Sequence, residues 1–458
     1  MTITGEPAAG AYRDRVQMTL SQLAVALDGR LVGSDGVVQG VSIDSRELVP
    51  GQMFVALVAE RDGHDFVGAA CERGARACLV SRPVGVAPEV SVVEVPDTAT
   101  ALQDLGRFAR DELAHAAVVG ITGSVGKTST KDLLAAILSQ AGVTAASERS
   151  FNNEIGLPLT LANAPADCRF VVTEMGARGL GHIALLASIA RPTVGVVTAV
   201  AEVHTELFGT LDDVARGKGE LIELLPSSGT AVLNVEDRRV AAMANRTDAS
   251  ICRVALAAGP YAGGADVTYE VVSMDADLRP IVRLVIGGQE ITVRLGVAGA
   301  HQAGNAALAA GAAARLGARL ADIEAGLASA TLSPWRMAVA RAASGRIVVN
   351  DAYNASPTSM RAALDSLLNL TASRRVAVLG PMAELGDDGD QRHRDVAEYA
   401  TERGITVIAV GTDAYGIDPL PHDEAVSTVD SLGPDVAVLV KASRVAAFER
   451  LAARLLER

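Results

Sequence analysis

Hydrophobic positions fall into short apolar runs that alternate with longer helical patterns over most of the chain. AAVVGITG (116–123) is an apolar run ending in glycine, and LLAAILSQAG (133–142) after it carries apolar residues at helical spacing. The runs RFVVTEMG, TVGVVTAV and TAVLNVED continue this alternation. Such alternation predicts a mainly parallel sheet with crossover helices in the middle of the chain.

The pattern changes twice further along the chain. IVRLVIGGQEITVRLGV (281–297) alternates apolar and polar residues on both sides of Gly287 and Gly288, which predicts an antiparallel hairpin at an edge of that sheet. From Thr331 onward, four apolar runs alternate with helical stretches; they are RIVVND, RRVAVLG, TVIAVGT and VAVLVKASR. A second doubly wound unit is therefore expected after residue 330.

These patterns predict an α/β protein of three domains. A compact region beginning at TLSQLAVALDGRLVG predicts a small α/β domain, which precedes the central parallel-sheet domain and a Rossmann-like C-terminal domain. The expected boundaries are residues 18–110, 111–330 and 331–458. Because Met18 resembles a second possible start, residues 1–17 are expected to be dispensable.

Length and charge narrow the class of protein. The chain has 458 residues, too many for one core, and its 41 basic against 54 acidic residues give a net charge of −13. The excess of acidic over basic residues and the low aromatic content of 3% argue against a nucleic-acid partner. The longest stretch without charged residues, 295–314, contains His, Gln and Asn, so no membrane span is expected. The N-terminus lacks the apolar run of a signal peptide, so the expected location is the cytoplasm.

The strongest local signal is GITGSVGKTST (120–130), a glycine-rich loop between an apolar strand and a helix. Backbone amides of such a loop can cradle nucleotide phosphates. Lys127 would hold the β- and γ-phosphate oxygens, and the Thr128 hydroxyl would bind the Mg²⁺ of MgATP. Ile121 stands where the standard motif has glycine, so the loop is the shorter TGxxGKT[ST] variant, and a tight turn with an ordinary lysine is the alternative interpretation. The expected ATP contacts are Gly123, Ser124, Val125, Gly126, Lys127, Thr128 and Ser129.

This variant loop resembles that of the Mur ligase family, ATP-dependent amide-bond ligases of peptidoglycan precursors. The resemblance implies that Glu174 in EMGARGLGHI and His204 in AEVHTELFG are metal ligands. It also implies that Lys218 in VARGKGELIELL reacts with CO₂, forming a carbamate that supports a second Mg²⁺. Without the resemblance, His204 would be interpreted as a surface histidine and Lys218 as a solvated helix lysine. The expected catalytic residues are Lys127, Glu174, His204 and Lys218.

Further segments resemble parts of the family that bind ATP. AGAHQAGNAALAA resembles GxHNxxNxxAA, which implies that Asn305 faces the adenine, with Gln302 where the family usually has Asn. Helix capping and packing are the alternative interpretation of Asn305. Arg336 after Trp335, and Asp351 at the end of VVND, resemble positions that reach ATP when the third domain closes.

Other segments resemble one branch of the family, which adds D-alanyl-D-alanine to a UDP-muramoyl-tripeptide. NDAYNASPTSM resembles DxYNANPxSM, with Tyr353 and Asn354 as expected substrate contacts and Ser356 in place of an Asn. VLGPMAELGDDGDQRH and LVKASR resemble LGDMxELG…H and LVKGSR, and they depart from the branch at Pro381 and Ala442.

The first domain resembles the UDP-sugar-binding domain of the same branch. SIDSRELVPGQMFVALVAERDGHDF resembles DSRxVxPGxxFvAlxGxxxDGHxF, which implies that Ser45 and Arg46 offer a hydroxyl and a charge to the diphosphate. SFNNEIGLPLT resembles the loop that meets the muramoyl-peptide, with Asn152 and Asn153 as candidate contacts. Without the resemblance, residues 44–46 would be interpreted as a turn.

The resemblance implies a reaction in two steps. The terminal carboxylate of the UDP-muramoyl-tripeptide attacks the γ-phosphate of ATP, and the amine of D-alanyl-D-alanine then attacks the acyl phosphate. ATP and two Mg²⁺ are the expected cofactors, and a monomer is expected. Three alternatives stay open. The first is a sibling ligase that adds a single amino acid, although the sequence has no DNPR segment. The second is a folate-type glutamate ligase, and the third is a nucleotide-binding protein without catalysis.

Overall fold

The structure, a computed structural model, describes residues 15–148, 150–201 and 208–457. The strands β1 to β21 are Gln17–Thr19, Arg30–Val32, Val37–Gln39, Val41–Ser42, Met53–Val55, Ala77–Val80, Ser91–Glu94, Ala117–Thr122, Thr144–Ala146, Phe170–Glu174, Val194–Val197, Thr230–Asn234, Ser250–Leu256, Val267–Met274, Pro280–Ile286, Gln289–Arg294, Ala338–Arg341, Ile347–Asn350, Arg374–Leu379, Thr406–Ala409 and Val436–Lys441. The helices α1 to α14 are Leu20–Ala26, Val67–Glu72, Thr98–Glu112, Lys127–Ala141, Gly156–Ala162, His182–Ala190, Leu211–Glu223, Arg238–Ala242, Gln302–Arg315, Leu320–Ser329, Pro357–Leu368, Gly389–Glu402, His422–Ser431 and Glu449–Leu456. None of these described helices has the length and apolar character that crossing a bilayer needs.

The described chain forms two compact units. The first takes in the residues up to Gly120 together with Gly142–Gly176 and Ile183–Gly195. The second takes in Ile121–Ala141, Ala177–His182 and the residues from Val196 onward. The glycine-rich loop and the other predicted ATP contacts therefore all belong to the second unit.

A five-stranded sheet in the order β2-β7-β6-β5-β4 builds the N-terminal part of the first unit. Strands β4 to β7 run parallel, and β2 runs antiparallel to β7. Phe54 and Cys78 of this sheet share a buried core with Val67 and Ala70 of α2. This arrangement confirms that the region has mixed α/β structure.

The largest sheet has nine strands in the order β16-β15-β14-β13-β12-β11-β8-β10-β9. Neighbouring strands run parallel from β12 to β14, and so do β9 and β10. β15 and β16 form an antiparallel hairpin at one edge. Its turn residues Gly287 and Gly288 have φ angles of 56° and 82°, the left-handed pair that one type of two-residue turn requires. The predicted hairpin and its edge position are confirmed.

The C-terminal sheet, in the order β17-β18-β21-β19-β20, is parallel apart from β17. Val349 belongs to a core with Met360 of α11, whereas the adjacent Val348 belongs to a second core with Val426 of α13. Helices therefore cover both faces, which confirms the predicted doubly wound unit and explains its apolar strands. The sequence pattern missed β17, a short edge strand whose residues are half-buried or exposed.

Helix α10 packs against α4, the helix that follows the glycine-rich loop. The two helices approach closely at Gly326, where an added Cβ would lie 2.3 Å from the Cα of Ile137. Because that neighbour is a backbone atom, no rotamer change relieves the clash. Glycine at this position therefore sets how closely the two helices approach.

We expect Gly326→Ala to lower the free energy of unfolding by about 2 kcal/mol, because the added methyl group would force the two helices apart. Gly68→Ala on α2 is the matched control, since an added Cβ at Gly68 would meet no described atom within 4 Å. That control should change stability by less than about 1 kcal/mol. Urea unfolding of both variants measures the difference, and equal stabilities would contradict the close contact.

Candidate functional site

The glycine-rich loop lies between β8 and α4, as the sequence predicts. Gly123 and Gly126 have φ angles of 149° and 85°. An added Cβ at Gly123 would lie 1.9 Å from Oγ1 of Thr198, and one at Gly126 would lie 2.5 Å from Oδ1 of Asn305. Both positions therefore require glycine, for the backbone conformation and for the close approach of these side chains.

Hydrogen bonds from the segment after β11 hold this loop in place. The Ser124 N–H donates to the Ala199 carbonyl at 2.7 Å, and the Ser124 hydroxyl lies 2.9 Å from the nitrogen and 3.0 Å from the oxygen of Ala201. The Thr198 hydroxyl donates to the Val125 carbonyl at 2.5 Å. The sequence analysis identified this segment only as the end of the apolar run TVGVVTAV. Its role in shaping the loop is visible only in the tertiary structure.

The Lys127 ammonium reaches back over the loop. Its Nζ donates to the carbonyls of Gly123 at 2.7 Å and Ser124 at 3.3 Å. Thr128 and Ser129 are buried in the first turn of α4. A cation above a loop that leads into a helix N-terminus suits the phosphates of a nucleotide, because both the charge and the helix dipole attract anions.

Arg336 connects the third predicted domain to this loop. Its Nη2 donates to the Thr128 hydroxyl at 2.8 Å, and its guanidinium lies over the Tyr353 ring, 4.1 Å from the ring centre. The structure therefore brings together three residues that were predicted from separate motifs.

Asp351 takes part in a buried ion pair. Its carboxylate accepts from Lys441 Nζ at 2.5 Å and from the Met337 N–H at 3.0 Å. Lys441, which is 2% exposed, also donates to the Asn354 carbonyl at 2.8 Å. A buried ammonium needs such partners because its removal from water is costly. The sequence interpretation missed Lys441 as a member of this cluster.

Asn305 packs against the glycine-rich loop with both ends of its amide engaged. Its Nδ2 donates to Oε1 of Gln302 at 2.8 Å, and the Thr130 hydroxyl donates to its Oδ1 at 3.4 Å. Gln302, which departs from the family pattern, is buried and fixes the orientation of the Asn305 amide. Contact between Asn305 and the adenine stays a prediction.

Lys218 on α7 is 2% exposed, so its interpretation as a solvated lysine is wrong. Glycines on either side of it in the helix make this burial possible. An added Cβ at Gly217 would lie 2.7 Å from the Phe208 ring, and one at Gly219 would lie 1.8 Å from Nη1 of Arg246. Phe208 and Arg246 therefore pack directly onto the helix backbone beside Lys218.

Burial changes the acid–base behaviour of Lys218. Loss of hydration lowers the pKa of its ammonium well below the usual value, and the positive charge of Lys127 lowers it further. Its Nζ lies 5.8 Å from the centre of the Phe208 ring. The amine is thereby biased toward its neutral, nucleophilic form, which surface lysines rarely adopt.

Glu174 is buried at the end of β10. The Asn152 Nδ2 donates to its Oε1 at 2.9 Å, and the Asn152 carbonyl accepts the Gly176 N–H at 2.7 Å. Asn153 Oδ1 accepts the Gly156 N–H at 2.9 Å, where α5 begins. Both asparagines therefore position neighbouring groups, and their contacts with a muramoyl-peptide stay predictions.

The remaining predicted residues are His204, Ser45 and Arg46. His204 lies outside the described residues. Residues 44–46 form a turn, as the alternative interpretation predicted. Within this turn, Arg46 makes a bidentate ion pair with Asp44, with bonds of 2.9 Å from Nε and 2.6 Å from Nη2. The Arg46 side chain is 85% exposed, and its contact with a diphosphate stays a prediction.

Lysine is rare in this chain, which relies on arginine for nearly all of its 41 basic residues. Lys127 lies on the loop, and the other three lysines are at most 3% exposed; they are Lys131, Lys218 and Lys441. A compact ammonium fits buried positions where the larger guanidinium does not. This rarity is the sequence signal that could have identified Lys131 and Lys441.

Three segments that resemble the D-alanyl-D-alanine branch meet at the carboxyl ends of β18, β19 and β21. The Ser443 N–H donates to the Pro381 carbonyl at 2.9 Å, and the Ser443 hydroxyl oxygen accepts the Ala383 N–H at 2.9 Å. The same hydroxyl lies 3.5 Å from the Ala355 carbonyl. The segments thus form one cluster at the sheet edge where α/β proteins bind ligands.

The departures at Ser356 and Ala442 have structural explanations. Ser356 caps α11 and accepts a backbone N–H in its first turn at 3.4 Å, which an Asn also does well. Ala442 is fully buried beside Gly380, where an added Cβ would lie 2.8 Å from the Ala442 Cβ and 2.3 Å from the Phe448 ring. Pro381 contributes its carbonyl oxygen, which any residue would supply.

His393 holds the segment that follows β19. Its Nε2 accepts the Met382 N–H at 2.9 Å, so its Nδ1 carries the proton and donates to the Gly389 carbonyl at 2.6 Å. The buried ring stands edge-on to Tyr415, with ring centres 4.9 Å apart. Burial lowers the pKa of His393 below its usual value, which favours the neutral ring in the folded protein.

We expect His393 to make the folded protein less stable as the pH falls. In the unfolded chain His393 has its usual pKa, near 6.5, and in the folded protein its pKa is lower. The buried neutral ring therefore contributes its full stability above about pH 6.5, and this contribution is lost as the pH falls toward the lowered pKa. His393→Ala should cost about 1–3 kcal/mol near pH 7, because the Met382 N–H loses its acceptor, and should weaken this pH dependence.

Urea unfolding at about pH 7 and about pH 5 measures both effects. His115→Ala, which changes an exposed histidine, is the control. If His393→Ala kept the full loss of stability at acid pH, another group would be responsible.

Comparison with protein families matches most of the chain to three models of one family. The matches are "Mur ligase family, catalytic domain" over residues 37–110, "Mur ligase middle domain" over 121–313 and "Mur ligase, glutamate ligase domain" over 335–457.

Named relatives match the chain over most of its length. The UDP-N-acetylmuramoyl-tripeptide–D-alanyl-D-alanine ligase of Mycobacterium tuberculosis (strain ATCC 25618 / H37Rv) is 38% identical over 440 residues, which cover 89% of this chain and 85% of the relative. The ligase of the same name from Escherichia coli (strain K12) is 35% identical over 464 residues, which cover 96% of this chain and 99% of the relative.

A solved structure of MurF from Acinetobacter baumannii superimposes with a TM-score of 0.86 at 30% identity, covering 97% of this chain and 100% of the other. MurF ligase from Thermotoga maritima in complex with ADP superimposes with a TM-score of 0.74 at 27% identity, covering 91% of this chain and 96% of the other.

Proposed function

The chain belongs to the Mur ligase family, and we infer from this membership that it is the ATP-dependent ligase that adds D-alanyl-D-alanine to UDP-N-acetylmuramoyl-tripeptide in peptidoglycan synthesis. The observation that carries this function is the 38% identity to a ligase of that name over 89% of the chain. The branch-specific segments clustered around Ser443 support the choice of the dipeptide as the added group.

The reaction joins the two substrates through an acyl phosphate. The terminal carboxylate oxygen of the tripeptide attacks the γ-phosphorus of ATP, and the bond to ADP breaks. The amine of D-alanyl-D-alanine then attacks the acyl carbon, loses a proton and displaces inorganic phosphate. Because the acyl phosphate hydrolyses in water, the enzyme must exclude water while both steps take place.

The glycine-rich loop and its neighbours supply the groups that bind ATP. Backbone amides of residues 123–126 and the Lys127 ammonium surround the phosphates, and Lys127 neutralises the charge that moves during phosphoryl transfer. Arg336 already contacts Thr128, so it brings a second positive charge to the same place. Asn305 and Asp351 are proposed to bind the adenosine part of ATP.

The donor groups fit Mg²⁺, which prefers oxygen ligands and needs few from the protein. Thr128 offers a hydroxyl, and Glu174 offers a buried carboxylate that Asn152 orients. His204 is the further ligand that family resemblance assigns. When bound, Mg²⁺ would stabilise the negative charge on the phosphoryl group that is transferred.

Lys218 is proposed to carry the carbamate that supports a second Mg²⁺. Only an uncharged amine reacts with CO₂, and the lowered pKa of Lys218 favours that form. The product is an anion with two oxygen atoms, which can bind a metal where an ammonium cannot. The packing of Phe208 and Arg246 against the helix beside Lys218 supports this role because it keeps the amine out of water.

The substrates are proposed to bind at three places in the fold. Ser45 and Arg46 would bind the UDP diphosphate, and Asn152 and Asn153 would meet the muramoyl-peptide. The dipeptide would bind at the carboxyl ends of β18, β19 and β21, where Tyr353 and Asn354 lie beside the Ser443 cluster. We propose that the enzyme acts as a monomer in the cytoplasm, where ATP is available.

Phosphate release with a panel of amines tests this function. The purified protein is supplied with ATP, Mg²⁺ and UDP-N-acetylmuramoyl-tripeptide, and D-alanyl-D-alanine is compared with diaminopimelate, lysine and glutamate. We expect release above background only with the dipeptide. Stimulation by a single amino acid would assign the chain to a sibling ligase, and ATP binding without release with any amine would support a non-catalytic nucleotide-binding protein.

We expect Lys218→Ala to reduce turnover at least a hundredfold and to regain part of it when short carboxylic acids are added, because they can replace the carbamate as metal ligand. Lys127→Ala is the matched control, since it should lose as much activity and regain none. Steady-state phosphate release with and without added acetate measures both. Full activity of unsupplemented Lys218→Ala would remove the carbamate from the mechanism.

A further inference from the structure

A short linker joins α10 to β17 and passes beside α4. Its first anchor is Asp132 on α4, whose Oδ2 accepts the Ser333 N–H at 2.7 Å and whose Oδ1 accepts the Ser333 hydroxyl at 3.2 Å. Three residues later, Arg336 donates to the Thr128 hydroxyl at 2.8 Å. The linker is therefore tied to the first turns of the ATP-binding helix at two points.

Asp132 is not a solvated surface charge. Its side chain is 11% exposed, and its Oδ1 lies 2.8 Å from the ammonium of Lys131, which is 3% exposed. A carboxylate this deeply buried is stable only when its oxygens are paired. The ion pair and the two bonds to Ser333 together satisfy that requirement.

The backbone on both sides of Arg336 needs external support. Trp335 and Met337 have φ angles of 62° and 50°, which residues other than glycine rarely adopt. Such conformations persist where surrounding contacts enforce them. Before Arg336, Asp132 binds Ser333 and the Trp335 carbonyl accepts the Tyr353 N–H at 3.1 Å; after it, Asp351 accepts the Met337 N–H at 3.0 Å.

We infer that Asp132 is a positioning residue for Arg336. It holds the linker at Ser333, and the strained backbone that follows directs the guanidinium onto Thr128 and the face of the Tyr353 ring. This role rests on the proposed ligase function, in which Arg336 supports phosphoryl transfer. Asp132 itself binds the linker and acts on the reaction through Arg336.

Asp132→Asn, which preserves the shape of the side chain, tests this role by kinetics. We expect kcat to fall about tenfold while the KM for ATP stays within about twofold, because a misplaced Arg336 mainly weakens the transition state. The double variant Asp132→Asn/Arg336→Ala should be no slower than Arg336→Ala alone. If the two losses instead multiplied, Asp132 would act independently of Arg336 and the inference would be overturned.

Asp322→Asn is the matched control, because Asp322 also accepts a backbone N–H and pairs with a basic side chain, Arg319, on the neighbouring helix α10. It should lose a similar amount of thermal stability and keep wild-type kcat. An equal loss of kcat in this control would reduce the role of Asp132 to general stability.

Hydrogen exchange of the peptide 331–338 provides a readout that needs no turnover. We expect faster exchange in Asp132→Asn than in the wild type, because the single oxygen of an amide cannot accept from the Ser333 N–H, the Ser333 hydroxyl and the Lys131 ammonium together, and we expect unchanged exchange in Asp322→Asn. Unchanged exchange in Asp132→Asn would overturn the inference. If exchange changed as expected but the wild type released no phosphate with any amine, the contact between Asp132 and the linker would be supported and the ligase function would be contradicted.

Discussion

The proposed phosphate-binding loop requires the backbone of residues 123–126 to keep one shape, and side chains from other parts of the chain enforce that shape. Thr198 and Asn305 approach Gly123 and Gly126 so closely that any Cβ would collide with them. Ser124 is bonded through both its amide and its hydroxyl to the segment after β11. A loop held in this way presents its amides without rearranging when phosphate arrives, which is the basis of electrostatic preorganisation.

Buried ammonium groups have different chemistry in this protein according to what surrounds them. Lys441 pairs with Asp351, and Lys131 pairs with Asp132, so their charges serve as structural ties. Lys218 instead faces an aromatic ring and feels the charge of Lys127, both of which its helix brings close. The same side chain therefore forms an ion pair in two places, and in a third its pKa is lowered, because only the environment differs.

Much of the fold followed from local pattern. Apolar runs predicted the strands around the glycine-rich loop and the doubly wound C-terminal unit, because buried parallel strands need apolar residues on both faces. Alternation of apolar and polar residues predicted the antiparallel hairpin at Gly287 and Gly288. The same reasoning missed β17, an edge strand with little burial. Departures from the family motifs were visible in the sequence, but their meaning was not. Only the structure showed that Gln302 orients Asn305 and that Ser356 caps a helix.

The sequence alone determined where the glycine-rich loop lies, because the strand, the loop and the start of its helix occupy consecutive residues with a recognisable local pattern. It also determined the family, since the motifs occur in the order that the family shows. The tertiary structure decided which charges are buried and what they contact. Asp132 meets Ser333 across 201 residues, and Arg336 meets Thr128 across 208. No local pattern encodes such pairs, because the folded path of the whole chain brings their side chains together.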